Sequence, residues 1–169
     1  SRERAIGFTH SVNGGISFSP AIRIHNNIQG IRWQPNFPSS LSNPHGKNMR
    51  TNSFPSMAVD ISGGINNGTI YIVWSNIGTP GVNSGSDVSV YLIKSTNNGS
   101  TWSSPIRVNR DAIGNVQYFP WITCDPETGN ISVIFYDDRN TGSTDVEAWV
   151  ANSLDGGNSW DNFRVSDVS

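Results

Sequence analysis

The sequence predicts an all-β protein made of repeated four-stranded antiparallel sheets. Short apolar, β-branched runs alternate with Gly- and Asn-rich turns, one order of strands and turns occurs twice in succession, and one eight-residue pattern occurs three times. Only 14% of the residues are charged, against about 25% in an average globular protein. A chain of 169 residues with this composition is long enough to bury one compact core.

The repeated pattern reads Ser-x-Asp/Asn-x-Gly-x-Ser/Thr-aromatic and occupies residues 11–18, 95–102 and 153–160, which we call box 1, box 2 and box 3. Asp and Asn side chains accept hydrogen bonds from nearby backbone N–H groups, and Gly adopts positive φ without strain. Between two apolar runs, such residues are typical of hairpin turns. We therefore predict a structural role for the pattern residues, which are Ser11, Asn13, Gly15, Ser17 and Phe18, then Ser95, Asn97, Gly99, Thr101 and Trp102, and finally Ser153, Asp155, Gly157, Ser159 and Trp160.

The first part of the chain contains half of a repeat and then a long connection. Box 1 joins two predicted strands, 5–10 and 20–24. The segment 25–53 has no sustained apolar alternation and contains three prolines together with Trp33 and Arg50. Long irregular connections are uncommon in compact domains and are often functional. We expect this segment to be an insertion between repeats.

Two full repeats follow and match each other element by element. Their predicted strands are 54–60, 69–74, 88–93 and 105–108 in the first repeat, and 119–125, 130–136, 145–150 and 163–165 in the second. Repeated four-stranded units predict β-propeller blades, and a β-sandwich is the weaker alternative because its turns need not repeat. The predicted organisation is the outer half of a blade with box 1 (1–24), the insertion (25–53), a blade with box 2 (54–110) and a blade with box 3 (111–169).

Two and a half blades are too few for a closed ring, because propellers have about four to eight blades. We expect the remaining blades to come from a longer chain or from symmetry copies. The net charge of -2 and the pI near 5.8 give no electrostatic signal for nucleic acid. No apolar run approaches the ~20 residues that span a bilayer. With Cys124 as the single cysteine, we expect neither a disulfide within the chain nor a bound metal, and no cofactor.

The boxes resemble the Asp-box, or BNR repeat, of the sialidase-like β-propeller family. This resemblance implies a secreted or cell-surface protein directed at glycans, either a glycoside hydrolase such as an exo-sialidase or a non-catalytic glycan- or protein-binding adhesion module. Sialidases carry their first substrate-binding arginine in an Arg-Ile-Pro motif. The nearest run in this chain, Ile22-Arg23-Ile24, lacks the proline and follows a box. The resemblance therefore assigns no catalytic residue in this chain, and any such residues would lie partly or wholly outside it.

The resemblance to sialidases also implies that ligands bind at the face opposite the boxes. Loops between second and third strands reach that face, as do the connections between blades. The polar and aromatic residues predicted there also include Arg32, His45, Asp111 and Gln117, but we select six as candidate ligand-face residues: Trp33, Arg50, Tyr118, Asp137, Asp138 and Arg139.

The run Asp137-Asp138-Arg139 has two interpretations. Two carboxylates and a guanidinium can bind a sugar or supply acid/base groups. Alternatively, Arg139 pairs with a neighbouring acid and one of the aspartates caps a loop turn. Among the tryptophans, we expect Trp74, Trp121 and Trp149 to pack between sheets, whereas Trp33 is the candidate platform for a sugar ring.

Overall fold

A computed structural model describes residues 4–31, 52–84, 87–142 and 145–167. These ranges contain β-strands and no helix, which confirms the predicted all-β class. Accordingly, the described part of the chain has no helix that is long and apolar enough to cross a membrane. The strands are β1 (Ala5–Phe8), β2 (Ile22–Asn26), β3 (Ser56–Val59), β4 (Ile70–Ile77), β5 (Val88–Ser95), β6 (Ile106–Arg107), β7 (Gln117–Cys124), β8 (Ile131–Asp137), β9 (Glu147–Ser153) and β10 (Asp161–Arg164).

The strands form three antiparallel sheets in which each strand pairs with its neighbour in sequence. The first sheet contains β1 and β2, the second contains β3 to β6, and the third contains β7 to β10. The predicted four-stranded units are therefore confirmed. Boxes 1, 2 and 3 join β1 to β2, β5 to β6 and β9 to β10. Because strand direction alternates, all three boxes lie at one end of their sheets, the box end, and the β4–β5 and β8–β9 loops lie at the loop end.

The second and third sheets have matching registers. The box serines occupy the same position, because Ser95 pairs with Ile70 and Ser153 pairs with Ile131. Counting along β4 and β8 from these pairs places Val73 opposite Ser56 in one sheet and Ile134 opposite Trp121 in the other. Residues at the same distance from these pairs are thus structural equivalents in the second and third sheets.

The second and third sheets pack face to face through apolar side chains. The second sheet contributes Tyr71, Val73, Val90 and Leu92, and the third contributes Ile122, Ile131, Val133, Phe135 and Ala151. The first sheet covers the opposite face of the second sheet, where its Ile6 and the following Ile28 pack on Ile72, Trp74 and Ile93. Burying each large aliphatic side chain contributes about 1.5–3 kcal/mol. The three sheets therefore form one stack with two apolar layers.

The loop end brings separate parts of the chain together. Val88 of β5 forms a parallel bridge with Val116, which precedes β7. Within the predicted insertion (25–53), the Ile31 N–H donates to Ser53 Oγ at 2.8 Å. Residues 32–51 lie outside the described residues, and the domain borders drawn from the sequence stay predictions.

The three strand tryptophans differ in their environments. Trp74 is fully buried between the first and second sheets, as expected. Trp149 is half-buried and packs at the edge of the core between the second and third sheets. Trp121 does not pack between two sheets of the described residues, where its side chain is 69% exposed. Side chains alternate along β7, and Ile122 takes the position that faces the second sheet, so Trp121 lies on the outward face of the third sheet.

Candidate functional site

The three boxes have the same hydrogen-bond arrangement. In box 2, the Ser95 hydroxyl donates to Asn97 Oδ1 at 3.0 Å and accepts from the Gly99 N–H at 2.9 Å, while the Thr101 N–H donates to Asn97 Oδ1 at 2.9 Å. The corresponding distances are 2.8, 2.9 and 3.0 Å in box 1 and 2.8, 2.8 and 2.9 Å in box 3. In each box, the Oδ1 atom of the Asp or Asn side chain therefore accepts its hydrogen bonds from within the turn.

Box 3 has a carboxylate where the other boxes have an amide. The Ser159 hydroxyl donates to Asp155 Oδ2 at 2.6 Å, whereas in box 2 the Asn97 amide donates to Thr101 Oγ1 at 2.8 Å. Donation from the Ser159 hydroxyl and N–H, followed by that from the Ser153 hydroxyl, lowers the pKa of Asp155. The turn thus accepts either side chain with the same geometry, and ionisation of Asp155 strengthens it.

The aromatic residues that end the boxes are not equally buried. Trp160 is buried in the core between the second and third sheets. Trp102 is half-buried, donates its indole N–H to Gly99 O at 3.1 Å and packs edge-on against Phe8 at 5.4 Å between ring centroids. Phe18 is 63% exposed. The three boxes therefore have the same turn geometry but differ in how the final aromatic ring packs.

A network of polar side chains lies at the loop end, centred on Asp111, whose side chain is only 2% exposed. Asp111 Oδ1 accepts from Arg107 Nη2 at 3.1 Å and from the Asn109 amide, and Oδ2 accepts from Asn115 and Gln117, each at 3.1 Å. These residues belong to the end of β6, the start of β7 and the connection between them. We call this group the Asp111 network, and it holds the second and third sheets together at the loop end.

Asp137 and Arg139 extend the Asp111 network. Arg139 donates to Asp137 Oδ2 through Nη2 at 2.6 Å and Nε at 2.9 Å, and its N–H donates to Oδ1 at 2.8 Å. Arg139 Nη2 also lies 3.8 Å from Asp111 Oδ1. Burial raises the pKa of Asp137, and the bonds from Arg139 partly oppose that effect. The guanidinium carbon lies 3.9 Å from the centroid of the Trp149 ring, a cation–π geometry.

Two further candidates, Asp138 and Tyr118, also lie in this region. Asp138 Oδ1 accepts from the Val116 N–H at 2.7 Å, which caps the connection before β7. Tyr118 is 1% exposed, and its hydroxyl has no hydrogen-bond partner among the described residues. Burial raises the pKa of the Tyr118 hydroxyl, and the charge of Asp138 acts in the same direction.

The structure thus brings four of the six candidate ligand-face residues together and buries most of their polar atoms. Asp137, Asp138 and Arg139 make the contacts of the second sequence interpretation, an ion pair and a capped loop. Trp33 and Arg50 lie outside the described residues. A ligand role for any of the six stays a prediction.

A cavity of about 390 Å³ at the loop end was not predicted from the sequence. It is lined by Arg4, Asn27, Ile28, Gln29, Val82 and Asn83. Asn27 and Asn83 both have positive φ, 58° and 53°, and the Asn83 amide donates to the Asn27 carbonyl at 2.7 Å. Asn tolerates this conformation better than most residues. The sequence shows these two asparagines in polar loops, but their spacing in the sequence does not predict that they contact each other.

Comparison with known proteins separates the fold from the function. No family model and no curated protein matches the chain. A solved structure, Hadza microbial sialidase Hz136, superposes on it with a TM-score of 0.55 and 17% sequence identity over 92% of this chain. The chain has a sialidase-like fold. It spans only 30% of the length of that sialidase chain. With its four-stranded antiparallel sheets, the chain is therefore part of a sialidase-like β-propeller.

Proposed function

We propose that this chain is part of a secreted sialidase-like propeller that binds glycans at the loop end. The observation that supports the proposal is the polar cavity of about 390 Å³ between the end of β2 and the β4–β5 loop. Arg4, which lines the cavity, is exposed, and a guanidinium can bind a carboxylate through two parallel hydrogen bonds. The side-chain amide of Gln29 offers a donor and an acceptor for sugar hydroxyls, whereas the amides of Asn27 and Asn83 bond each other and hold the wall of the cavity. The ligand class that fits best is an acidic oligosaccharide.

Whether the protein also hydrolyses its glycan depends on residues outside the described ranges. Asp137 and Asp138 each accept hydrogen bonds from the protein, and Asp137 is fully buried. A general acid or base has to reach its substrate. The burial of Asp137 supports a role in holding the loops, so we favour a glycoside hydrolase whose catalytic groups lie elsewhere. A non-catalytic binding module is the second candidate, and the two differ in turnover.

The experiment is a titration of the natural full-length protein with sialylated and desialylated forms of one oligosaccharide. We expect the Arg4→Gln variant to lose about tenfold or more of its affinity for the acidic form, since a charge-assisted hydrogen bond contributes about 1.5–3 kcal/mol. Arg23→Gln is the matched control, because Arg23 is exposed but does not line the cavity. Release of sialic acid in the same samples distinguishes the hydrolase from the binding module. Equal affinity of all three proteins for both glycans would refute the proposal.

A further inference from the structure

Four aliphatic side chains at the box end are exposed to solvent. Val12 and Ile16 of box 1 are 92% and 87% exposed, and Ile61 and Ile65 of the β3–β4 turn are 68% and 100% exposed. The β3–β4 turn lies at the box end because strand direction alternates within each sheet. We call these four residues the apolar tips. Several large apolar side chains exposed at one end of a fold are typical of an interaction surface.

The exposure of the apolar tips does not depend on sheets outside the described residues. Box 2 has neighbours on both sides, since its Gly99 lies against Phe8 of the first sheet and the Lys94 ammonium just before it donates to a carbonyl of box 3 at 2.6 Å. The second and sixth residues of box 2, Thr96 and Ser100, are nevertheless exposed. The second sheet is likewise covered on both faces, and its β3–β4 turn still exposes two isoleucines.

The turns do not require aliphatic residues at these positions. Box 2 forms the same hydrogen bonds as box 1 with Thr96 and Ser100 in place of Val12 and Ile16. The β7–β8 turn, which is the counterpart of the β3–β4 turn in the third sheet, contains Asp, Pro, Glu, Thr and Gly at 125–129. The formation of the turns therefore does not explain the apolar tips.

The turns that carry the apolar tips provide partners for their own backbone donors. In box 1, the N–H groups of Asn13 and Gly15 donate to Ser11 Oγ. In the β3–β4 turn, the N–H groups that donate to acceptors within residues 60–67 are those of Gly63, Gly64, Asn67, Gly68 and Thr69. Unpaired backbone donors are costly in an apolar medium. These turns can therefore approach a lipid layer without exposing those donors to it.

The charge of the box end favours a zwitterionic lipid surface over an anionic one. Neither residues 11–22 nor residues 61–70 contain a charged side chain. The turns of the third sheet add Asp125, Glu127 and Asp155, which are all acidic. The ammonium group of Lys94 is engaged by box 3, where it donates to Asn158 Oδ1 at 2.8 Å. Anionic lipids attract basic segments, and these turns present none.

We propose that the box end docks on a zwitterionic lipid surface, with the apolar tips inserted among the headgroups. Such binding strengthens with the apolar area that is buried. The tips belong to separate turns, and a fluid lipid layer accepts separate side chains without a complementary groove. Docking at the box end leaves the loop end, with its cavity of about 390 Å³, facing away from the lipid. The proposal uses none of the residues of the glycan site, so either proposal can fail alone.

The test is flotation of the natural full-length protein with vesicles of phosphatidylcholine alone. The variants are Ile65→Thr and the triple variant Val12→Thr, Ile16→Ser, Ile65→Thr, which gives box 1 the residues of box 2. The matched control is Ile113→Thr, because Ile113 is 84% exposed in the β6–β7 connection at the loop end. We expect binding to weaken about threefold for Ile65→Thr and at least about tenfold for the triple variant. We expect the control to bind like the wild type.

A dye on residue 65 reports insertion directly. With Cys124 changed to Ser, an environment-sensitive dye is attached to Ile65→Cys or, as the control, to Ile113→Cys. We expect the emission to shift to the blue on addition of vesicles only for the dye at residue 65. Replacing part of the phosphatidylcholine with phosphatidylserine should not strengthen binding, because the charged turns of the box end are acidic.

The following results would overturn the proposal. If the natural protein does not bind the vesicles, the lipid assignment fails, and an oligomer that dissociates in the triple variant would make the tips an interface between copies. Equal losses from Ile65→Thr and Ile113→Thr, or equal shifts of the two dyes, would mean that the box end is not the docking surface. Binding that requires phosphatidylserine would be electrostatic. Because Thr and Ser occupy the same positions in box 2, we expect the unfolding midpoint of the triple variant to match that of the wild type.

Discussion

Asp137 and Arg139, two residues apart at the end of β8, form an ion pair with three hydrogen bonds, of which the shortest joins Arg139 Nη2 to Asp137 Oδ2 at 2.6 Å. The Asp137 side chain is 0% exposed and that of Arg139 is 12% exposed. This pair fixes the guanidinium over Trp149 and beside Asp111. The β8–β9 loop is thereby attached to the connection between the second and third sheets.

We predict that Asp137→Ala lowers the free energy of unfolding by about 3 kcal/mol, because a largely buried guanidinium loses three hydrogen bonds to its nearest carboxylate and keeps only the more distant Asp111. The control is Asp161→Ala, since Asp161 is exposed at the start of β10 and surface changes usually stay within about 0.5 kcal/mol. Urea unfolding monitored by tryptophan fluorescence measures both. Equal effects of the two substitutions would show that the pair does not hold the loop.

The second prediction concerns the pH dependence of box 3. The pKa of Asp155 is lower in the folded state than in the unfolded chain, so its contribution to stability is present above the unfolded pKa of about 3.9 and is lost as the pH falls. Asp155→Asn removes this contribution but keeps the turn, since boxes 1 and 2 have Asn at this position. We expect the stability difference between the wild type and Asp155→Asn to shrink from pH 7 to pH 3.

Asp155→Ala is the comparison for that experiment. It removes the acceptor for the Asn158 and Ser159 N–H groups, and we expect a loss of about 1–3 kcal/mol, present at both pH values. If the difference between the wild type and Asp155→Asn is the same at pH 3 and pH 7, the carboxylate does not contribute through its ionisation.

The third prediction separates the turn from the contact between sheets. Gly15 and Gly99 are equivalent box glycines with φ of 87° and 82°. An alanine at either position meets the same backbone strain, about 1–2 kcal/mol. At Gly15 there is nothing within 4 Å of the new Cβ, whereas at Gly99 it would meet the Phe8 ring. We expect Gly99→Ala to cost about 1–3 kcal/mol more than Gly15→Ala in denaturant unfolding, the usual cost of overpacking.

A smaller side chain at Phe8 tests the same contact between Phe8 and residue 99. In the Phe8→Leu background, the extra cost of Gly99→Ala relative to Gly15→Ala should shrink, since neighbouring residues that share a contact are not additive. An unchanged extra cost would place its cause in the turn and not at the interface between the first and second sheets.

The sequence predicted the features that depend on local chemistry. Asx side chains, glycines and hydroxyls at fixed spacing determine the box hydrogen bonds without help from distant residues, as Ser95 and Asn97 illustrate. The strands were predicted within a few residues for the same reason, because alternation and turn residues act over short distances. The repeat also revealed the four-stranded units.

Contacts between distant segments could not be predicted from the sequence. We predicted Trp121 between sheets because it lies in a strand, but a position in a strand does not say which face of the sheet is covered. The Asp111 network joins residues from the end of β6 to the start of β7. It also contacts Arg139, which follows β8. The cavity beside Asn27 depends on a contact with Asn83 on a different sheet. Spacing in one sequence carries no information about such pairings.

The most direct test of the account is a crystal structure of the full-length protein soaked with an acidic oligosaccharide. We expect the sugar to occupy the cavity between Asn27 and Asn83, with its carboxylate against Arg4 and its hydroxyls near Gln29. A sugar bound at the box end, or a clear binding site elsewhere with this cavity empty at a ligand concentration that saturates the protein in solution, would contradict it.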